Sequence, residues 1–201
     1  MDIAPVVAAA AAAYILGSVN ASIILSRLIM RSDIRAHGSG NAGTTNTLRT
    51  MGKRAAAAVF LIDALKAFAA VIIGGVIASD TGAFSAALFC ILGHSYPIFF
   101  GFKGGKGIAS TAGAFLALDI KIFIAAILVF IVIVAVTRYV SLGSILAALS
   151  IPILSFIFDT SLYGRTVCII LAVFIILRHR ENIKKLISKS ESKLSFKKKV
   201  E

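Results

Sequence analysis

The sequence has few acidic residues, two cysteines and no tryptophan. Only 9 of the 201 residues are Asp or Glu, against 21 Lys and Arg. Cys90 and Cys168 lie inside apolar runs without the spacing of metal ligands, so we expect both to pack as small hydrophobic side chains. This pattern argues against a disulfide scaffold and a cysteine-based metal site, and we predict no metal and no cofactor. The first residues lack the basic segment of a signal peptide, which favours a retained first span.

Apolar residues are what the sequence has in excess. They make up 59% of the chain, and the mean hydropathy is +0.96, whereas a soluble domain has about 45–50% apolar residues. A helix needs about 20 apolar residues to cross a bilayer. We find seven apolar runs: Ile3–Leu28, Ala55–Ala78, Phe84–Phe100, Ile108–Leu118, Ile122–Val136, Ser144–Phe158 and Thr166–Leu177. The fourth run is short for a crossing.

The basic residues lie between the apolar runs, which favours a membrane topology signal over nucleic-acid binding. With residues 27–54 in the cytoplasm, seven crossings place 18 of the 21 basic residues on that side. A single crossing over 108–136 would move Arg138 and the basic tail outside, so we predict a break at Asp119–Lys121. The prediction is an all-α membrane protein with seven transmembrane helices, the N-terminus outside and the C-terminus cytoplasmic. A single transmembrane domain covers residues 1–187, and a basic polar tail covers 188–201.

The first cytoplasmic loop has an unusual density of hydrogen-bond donors. Its sequence from His37 to Arg49 is HGSGNAGTTNTLR. Glycines let several backbone N–H groups converge on an anion, and Arg49 can hold a phosphate with two hydrogen bonds. The string GSGNAG also fits the letters of a dinucleotide fingerprint, but no strand precedes it. The alternatives are a phosphate-binding loop or a flexible polar connector, with His37 solvated.

A second glycine-rich loop runs from Gly93 to Thr111, with the sequence GHSYPIFFGFKGGKGIAST. Its spacing differs from that of a P-loop, because Gly107 follows Lys106 where a P-loop has Ser or Thr. The string Gly-Gly-Lys-Gly before a helix still offers backbone N–H groups, a helix N-terminus and an ammonium group to an anion. A basic membrane anchor is the alternative.

Further polar residues lie near the same predicted face. Ser141 and Ser144 follow the fifth apolar run, and His179 and Asn182 follow the seventh; helix capping or a solvated helix end is the alternative for each pair. Asp63 and Lys66 lie inside a predicted span, three residues apart, and we interpret them as an ion pair that faces the site. His94 is equally compatible with a structural role and with the site.

These motifs, in this order, resemble the bacterial acyl-phosphate-dependent glycerol-3-phosphate acyltransferases of the PlsY type. The three segments are GSGNAGTTNTLR, GHSYPIFFGFKGGKGIAST, and RYVSLGS with RHRENIKKL. Ala42, Thr44 and Lys189 depart from the family's usual residues, and Lys189 stands where a glycine often precedes the motif glutamate, which we match to Glu191. The resemblance implies a bacterial plasma-membrane enzyme whose cytoplasmic site transfers an acyl group from acyl phosphate to glycerol 3-phosphate, giving lysophosphatidic acid and phosphate.

The residues and the resemblance together predict the site. We expect five catalytic residues: Ser39, Arg49, Lys106, His179 and Asn182. We expect twelve substrate-binding residues: Gly38, Gly40, Asn41, Gly43, Thr45, Asn46, His94, Lys103, Gly104, Gly105, Gly107 and Ser141. Asp63, Lys66 and Glu191 are expected to line or support it.

No side chain in the sequence is an obvious covalent nucleophile, so direct attack by the substrate hydroxyl is expected. His179, His94 and the substrate's own phosphate are the alternatives for the base. Expected partners are acyl phosphate, glycerol 3-phosphate, membrane lipid and the enzyme that makes acyl phosphate, with no nucleic acid. The rival function is transport of a phosphorylated solute, which predicts inverted repeats and polar residues at mid-membrane.

Overall fold

In the computed structural model, which describes residues 3–194, all regular structure is helical. The helices are α1 Ile3–Gly17, α2 Ala21–Ile29, α3 Thr44–Ser95, α4 Ile108–Leu118, α5 Ile120–Thr137, α6 Val140–Ile157, α7 Leu162–Arg178 and α8 Arg180–Ile187. Two short 3₁₀ turns, Ile34–Ala36 and Ile98–Phe100, lie in the loops before and after α3. Of the predicted polar tail, residues 195–201 lie outside the described residues.

Helix α3 has a kink at Gly52 (φ 84°), and after this kink it forms a hairpin of two arms. Ala78 and Ser79 have non-helical backbone angles (φ −145° and 51°). A Cβ added at Gly74 would lie 2.5 Å from the Gly82 carbonyl oxygen. In a straight helix, residues eight apart are about 12 Å apart along the axis, so the chain reverses between them. Residues 53–77 form the first arm and residues 80–95 the second, close to the predicted turn.

The described residues thus contain the seven membrane helices that the sequence predicts. Four helical stretches are long and apolar enough to cross a bilayer, and one of them, Thr44–Phe100, contributes both arms of α3. α7 and α8 form a pair bent by 58°, and α4 is the short apolar helix. The all-helical membrane fold is confirmed, while the orientation across the membrane stays a prediction.

The breaks between helices have local causes. Asp119 ends α4 and caps α5, because its side chain accepts hydrogen bonds from the Lys121 and Ile122 N–H groups. The predicted break at Asp119 is therefore confirmed. The first apolar run differs from the prediction, because it breaks at residues 18–20. The Asn20 side chain there accepts from the Ile23 N–H and starts α2.

Glycines allow the helices to pack closely. A Cβ added at Gly17 would lie 2.2 Å from the Cys90 carbonyl oxygen, which places α1 against the second arm of α3. A Cβ added at Gly113 would lie 1.9 Å from the Ala64 carbonyl oxygen, which places α4 against the first arm. Small residues permit this approach in a bilayer, where hydrophobic burial alone gives helices little reason to associate. The packing brings both glycine-rich loops to one end of the bundle.

The orientation can be measured by labelling single cysteines. Cys90 and Cys168 are fully buried and should not react with a membrane-impermeant maleimide. We expect Asp80→Cys, at the exposed α3 turn, to be labelled in intact spheroplasts. Ser190→Cys, after α8, should be labelled only after permeabilisation. The reverse pattern would overturn the predicted orientation.

Candidate active site

A polar cavity of about 240 Å³ lies where the first helical turns of α3, α4 and α6 meet α8. Fourteen of the predicted residues line it: Ser39, Asn41, Gly43, Thr45, Asn46, Arg49, Asp63, His94, Lys106, Gly107, Ser141, His179, Asn182 and Glu191. All five predicted catalytic residues are among them. The three motif segments, far apart in sequence, therefore meet at one concave site.

The first glycine-rich loop is held by the buried side chain of Asn46. Its Oδ1 accepts from the Ser39 N–H at 2.8 Å, and its Nδ2 donates to the His37 and Ile34 carbonyl oxygens. Gly38 has a φ of 58° and lies so close to Asn46 that a Cβ would meet Oδ1 at 2.3 Å. Asn46 thus fixes the loop shape and presents Ser39 to the cavity.

The two glycines of the second loop are needed for close packing. The Gly104 and Gly105 N–H groups already donate to the Ser95 and His94 carbonyl oxygens, at 3.0 and 3.2 Å. A Cβ added at Gly105 would lie 2.1 Å from the His94 Nε2 atom. These N–H groups are not free for an anion. The first turn of α4, where Ile108 and Ala109 line the cavity, offers N–H groups that have no partner within the helix.

Two arginines brace the second loop through its carbonyl groups. Arg35 donates to the Phe100 and Lys103 carbonyl oxygens at 2.7 and 2.8 Å, and Arg178 donates to the Gly105 carbonyl oxygen at 3.0 Å. Hydrogen bonding to Arg35 holds the pKa of Asp33 well below its usual range. The ionised Asp33 in turn fixes the Arg35 guanidinium.

Lys106 is the most deeply placed cation of the loops. Burial lowers the pKa of its ammonium group to about 8. The negative charge of Glu191 opposes this shift, whereas the positive charges of Arg178, Lys185 and Arg49 add to it. The Lys106 ammonium group is partly desolvated and lies near other cations. An anion bound beside it would offset this positive charge.

A short hydrogen-bonded chain links Lys106 to the segment after α8. The Lys106 ammonium donates to the Asn182 Oδ1 atom. Asn182 Nδ2 and Ser141 Oγ both donate to the Glu191 Oε1 atom, at 2.8 and 2.9 Å. The Leu194 N–H donates to the Arg138 carbonyl oxygen. Residues 188–194 therefore lie across the start of α6 and close one side of the cavity.

The two cavity histidines have different surroundings. His179 is buried, and its Nδ1 atom lies 2.8 Å from the Ile175 carbonyl oxygen. That contact requires a proton on Nδ1, so the Nε2 atom of neutral His179 is an acceptor. His94 Nδ1 lies 3.2 Å from the Lys66 ammonium and 3.4 Å from the Asp63 Oδ1 atom. His94 thus belongs to a buried ionic cluster beneath the second loop.

Six of the predicted residues do not line this cavity: Gly38, Gly40, Lys66, Lys103, Gly104 and Gly105. Gly40, Lys103 and Gly104 line a neighbouring open cleft, which also contains Ser39. The cavity also contains residues outside the predicted site set: Thr44, Phe130, Lys185, and Ser144, which the sequence had already placed near this face. Lys185 could have been found, because it lies three residues after Asn182 and so shares a face of α8.

An apolar cleft adjoins the polar cavity. It lies between α4, α5, α6 and α7, with Phe115, Phe123, Ala147 and Ile151 among its lining residues. Ile108, Phe130 and Ser144 line both the cleft and the cavity. The polar cavity thus continues into an apolar cleft within the bundle, which suits a molecule with a charged end and a hydrocarbon tail.

Comparison with known proteins agrees with this combination. The sequence model of the family described as glycerol-3-phosphate acyltransferase matches residues 7–189. The chain is 41% identical to the glycerol-3-phosphate acyltransferase of Thermoanaerobacter pseudethanolicus, covering 92% of this chain and 93% of that protein. It is also 41% identical to the Clostridioides difficile protein of the same description, covering 98% and 100%. The chain belongs to the glycerol-3-phosphate acyltransferase family.

Solved structures of this family have the same fold. The glycerol 3-phosphate form of PlsY (YgiH), an integral membrane glycerol 3-phosphate acyltransferase, matches with a TM-score of 0.90. The two sequences are 35% identical, with 94% of this chain and 96% of that chain covered. The lysophosphatidic acid form of the same enzyme matches with a TM-score of 0.86. The acyltransferase described here is therefore an integral membrane protein, and the resemblance read from its motifs is confirmed.

The charge balance at Lys106 can be tested by substitution. Glu191→Gln removes a negative charge that favours the ammonium form, so we expect the pKa of Lys106 to fall below about 8. Lys185→Met removes a competing positive charge and should raise that pKa. Competitive acetylation of Lys106 against pH, read by mass spectrometry, measures both. An unchanged profile in the two variants would contradict the proposed coupling.

Proposed function

We propose that the enzyme transfers a fatty acyl group from acyl phosphate to the sn-1 hydroxyl of glycerol 3-phosphate, giving lysophosphatidic acid and phosphate. One observation carries the proposal. The cationic cavity and the apolar cleft share Ile108, Phe130 and Ser144, so one site can hold a phosphate group and a hydrocarbon chain together. The related enzyme PlsY (YgiH) has also been solved in a lysophosphatidic acid form, and lysophosphatidic acid contains both parts.

The cationic lining addresses the main cost of this reaction. Acyl phosphate and glycerol 3-phosphate must bring two phosphate groups together. Two unit charges about 5 Å apart repel by about 3 kcal/mol at an effective dielectric of 20, and dianions repel more. Arg49, Lys106 and Lys185 supply three positive charges around the cavity. The N-terminus of α4 adds backbone N–H groups, which favour anions.

The chemical step in this proposal is direct attack. The sn-1 oxygen forms a bond to the acyl carbonyl carbon, the bond from that carbon to the phosphate oxygen breaks, and phosphate leaves. Phosphate is a good leaving group, so activation of the hydroxyl matters more than acid catalysis. Nε2 of His179, the acceptor on the cavity wall, takes the hydroxyl proton. Ser39 and Asn41 are placed to hydrogen-bond the donor's phosphate or carbonyl oxygen.

The same proposal places the site at the cytoplasmic face of a bacterial plasma membrane. The excess of Lys and Arg in the loops that build the cavity supports this orientation. Glycerol 3-phosphate would enter from water, and the acyl chain would enter the cleft from the bilayer. An enzyme that makes acyl phosphate is the expected partner.

The proposal is tested by the choice of acyl donor. Purified enzyme should form lysophosphatidic acid from palmitoyl phosphate and glycerol 3-phosphate, as measured by mass spectrometry, and only background with palmitoyl-CoA. Lys106→Met and His179→Gln should lower kcat/KM by roughly 10- to 100-fold, because a hydrogen bond to a charged group contributes about 1.5–3 kcal/mol. The exposed residue variant Lys53→Met is the matched control. Equal use of both donors would overturn the proposed donor.

The cleft is tested by filling it. Ala147 faces the cleft, while Leu149 on the same helix is 40% exposed and faces away. Ala147→Phe should lower kcat/KM for palmitoyl phosphate by roughly tenfold relative to butyryl phosphate, since overpacking costs about 1–3 kcal/mol. Leu149→Phe should leave that ratio unchanged. If the ratio of kcat/KM for the two donors were equal in the two variants, the acyl chain would not bind in this cleft.

A further inference from the structure

One oxygen of the buried Asp63 carboxylate has no hydrogen-bond partner. Asp63 lies on the first arm of α3, is fully buried and lines the polar cavity. Its Oδ2 atom is buried and unpaired. A buried unpaired acceptor costs about 1–3 kcal/mol, more when it is charged. This oxygen is therefore a position where a bound ligand can supply the missing donor.

The ionic cluster around Asp63 is complete without Oδ2. The Lys66 ammonium lies 2.7 Å from Asp63 Oδ1, 2.7 Å from the Val19 carbonyl oxygen and 3.2 Å from His94 Nδ1. An ammonium has three N–H donors, and these three partners use them all. The ion pair with Lys66 explains why Asp63 Oδ1 is buried. It does not explain why Oδ2 is buried without a hydrogen-bond donor.

The chemistry of a carboxylate restricts what it can bind. It repels phosphate and accepts hydrogen bonds from hydroxyl groups. The cations that suit phosphate, Arg49 and Lys185, come from the start of α3 and from α8. The acyl cleft meets the cavity at Ile108, Phe130 and Ser144, on α4, α5 and α6. The hydroxyl that is acylated must face that side. Asp63, on the first arm of α3, therefore faces another part of the acceptor substrate.

We propose that Asp63 Oδ2 accepts a hydrogen bond from the secondary hydroxyl of glycerol 3-phosphate, the hydroxyl that is not acylated. This inference rests on the proposed function and deepens it. In this arrangement, Asp63 binds the secondary hydroxyl of glycerol 3-phosphate, while Arg49 and Lys185 bind its phosphate group. The secondary hydroxyl is held away from the acyl carbonyl, and only the sn-1 hydroxyl is presented to it.

The first test uses the unmodified enzyme with three acceptors and palmitoyl phosphate. These are glycerol 3-phosphate, 3-hydroxypropyl phosphate, which lacks the secondary hydroxyl, and its 2-fluoro derivative, which cannot donate a hydrogen bond. We expect kcat/KM to fall by roughly 10- to 100-fold for both analogues, as for loss of a charged hydrogen bond. Equal use of all three acceptors, or a fluoro analogue as good as glycerol 3-phosphate, would overturn the proposal.

The second test removes the acceptor as part of its ion pair, so that no buried ammonium is left unpaired. In Asp63→Ala/Lys66→Met, the preference for glycerol 3-phosphate over 3-hydroxypropyl phosphate should fall at least tenfold. Asp63→Asn/Lys66→Met keeps a neutral acceptor and should give an intermediate preference. Asp80→Asn, at the exposed turn between the two arms of α3, should keep the full preference.

An unchanged preference in both double variants, with activity lowered equally for both acceptors, would assign Asp63 a purely structural role. If the double variants fail to fold, the acceptor series on the unmodified enzyme decides alone. A wild-type enzyme that makes no lysophosphatidic acid from glycerol 3-phosphate would instead overturn the proposed function.

Discussion

A single ammonium group ties the bundle together beneath the site. The Lys66 Nζ atom contacts Val19 at the break between α1 and α2, Asp63 on the first arm of α3 and His94 on the second. His94 then accepts the Gly105 N–H through its carbonyl oxygen. Charges at membrane depth are costly unless they are paired. Here the pairing of Lys66 joins three helical segments. It also fixes the position of His94, against which the second loop packs, so the shape of the cavity depends on this pairing.

The glycine-rich loops illustrate how one composition can serve two purposes. A string such as Gly-Gly-Lys-Gly suggests backbone N–H groups that bind phosphate. In this fold, Gly104 and Gly105 instead let the loop press against His94 and Ala42. In the proposed site, the groups suited to bind an anion are Lys106 and the first turn of α4. Glycine at these positions is required by contact with the helix below, and the ligand benefits indirectly.

Much of the fold could be predicted, because membrane insertion constrains a sequence strongly. The distribution of basic residues between the two sides of the membrane predicted a break within residues 108–136. Asp119 forms this break, because its side chain caps the start of α5. The break at residues 18–20 was not predictable from hydropathy, because Ser18 and Asn20 satisfy their polar groups inside an apolar run.

The site was predictable where it follows helix ends and less so where it depends on tertiary contacts. Arg49, Lys106, His179 and Asn182 lie close to helix ends that meet at one face. Lys103 lies only three residues before Lys106, yet it lines a different cleft, because an irregular loop has no helical period. Arg35 contacts Phe100 and Lys103, which lie 65 and 68 positions away in the sequence. No local sequence pattern predicts contacts at this distance.

The apolar cleft beneath α5 has a consequence for kinetics. Among the described long apolar helices, α5 has the smallest share of buried residues, 11%. A hydrocarbon tail that reaches the cleft from the side is drawn from a two-dimensional solution. Its effective concentration is then its mole fraction in the surrounding lipid or detergent, and adding inert amphiphile at constant total substrate dilutes it. The turnover rate of such an enzyme depends on the mole fraction of the acyl donor in the lipid or detergent. Its dependence on the water-soluble substrate is set by the concentration of that substrate in the bulk solution.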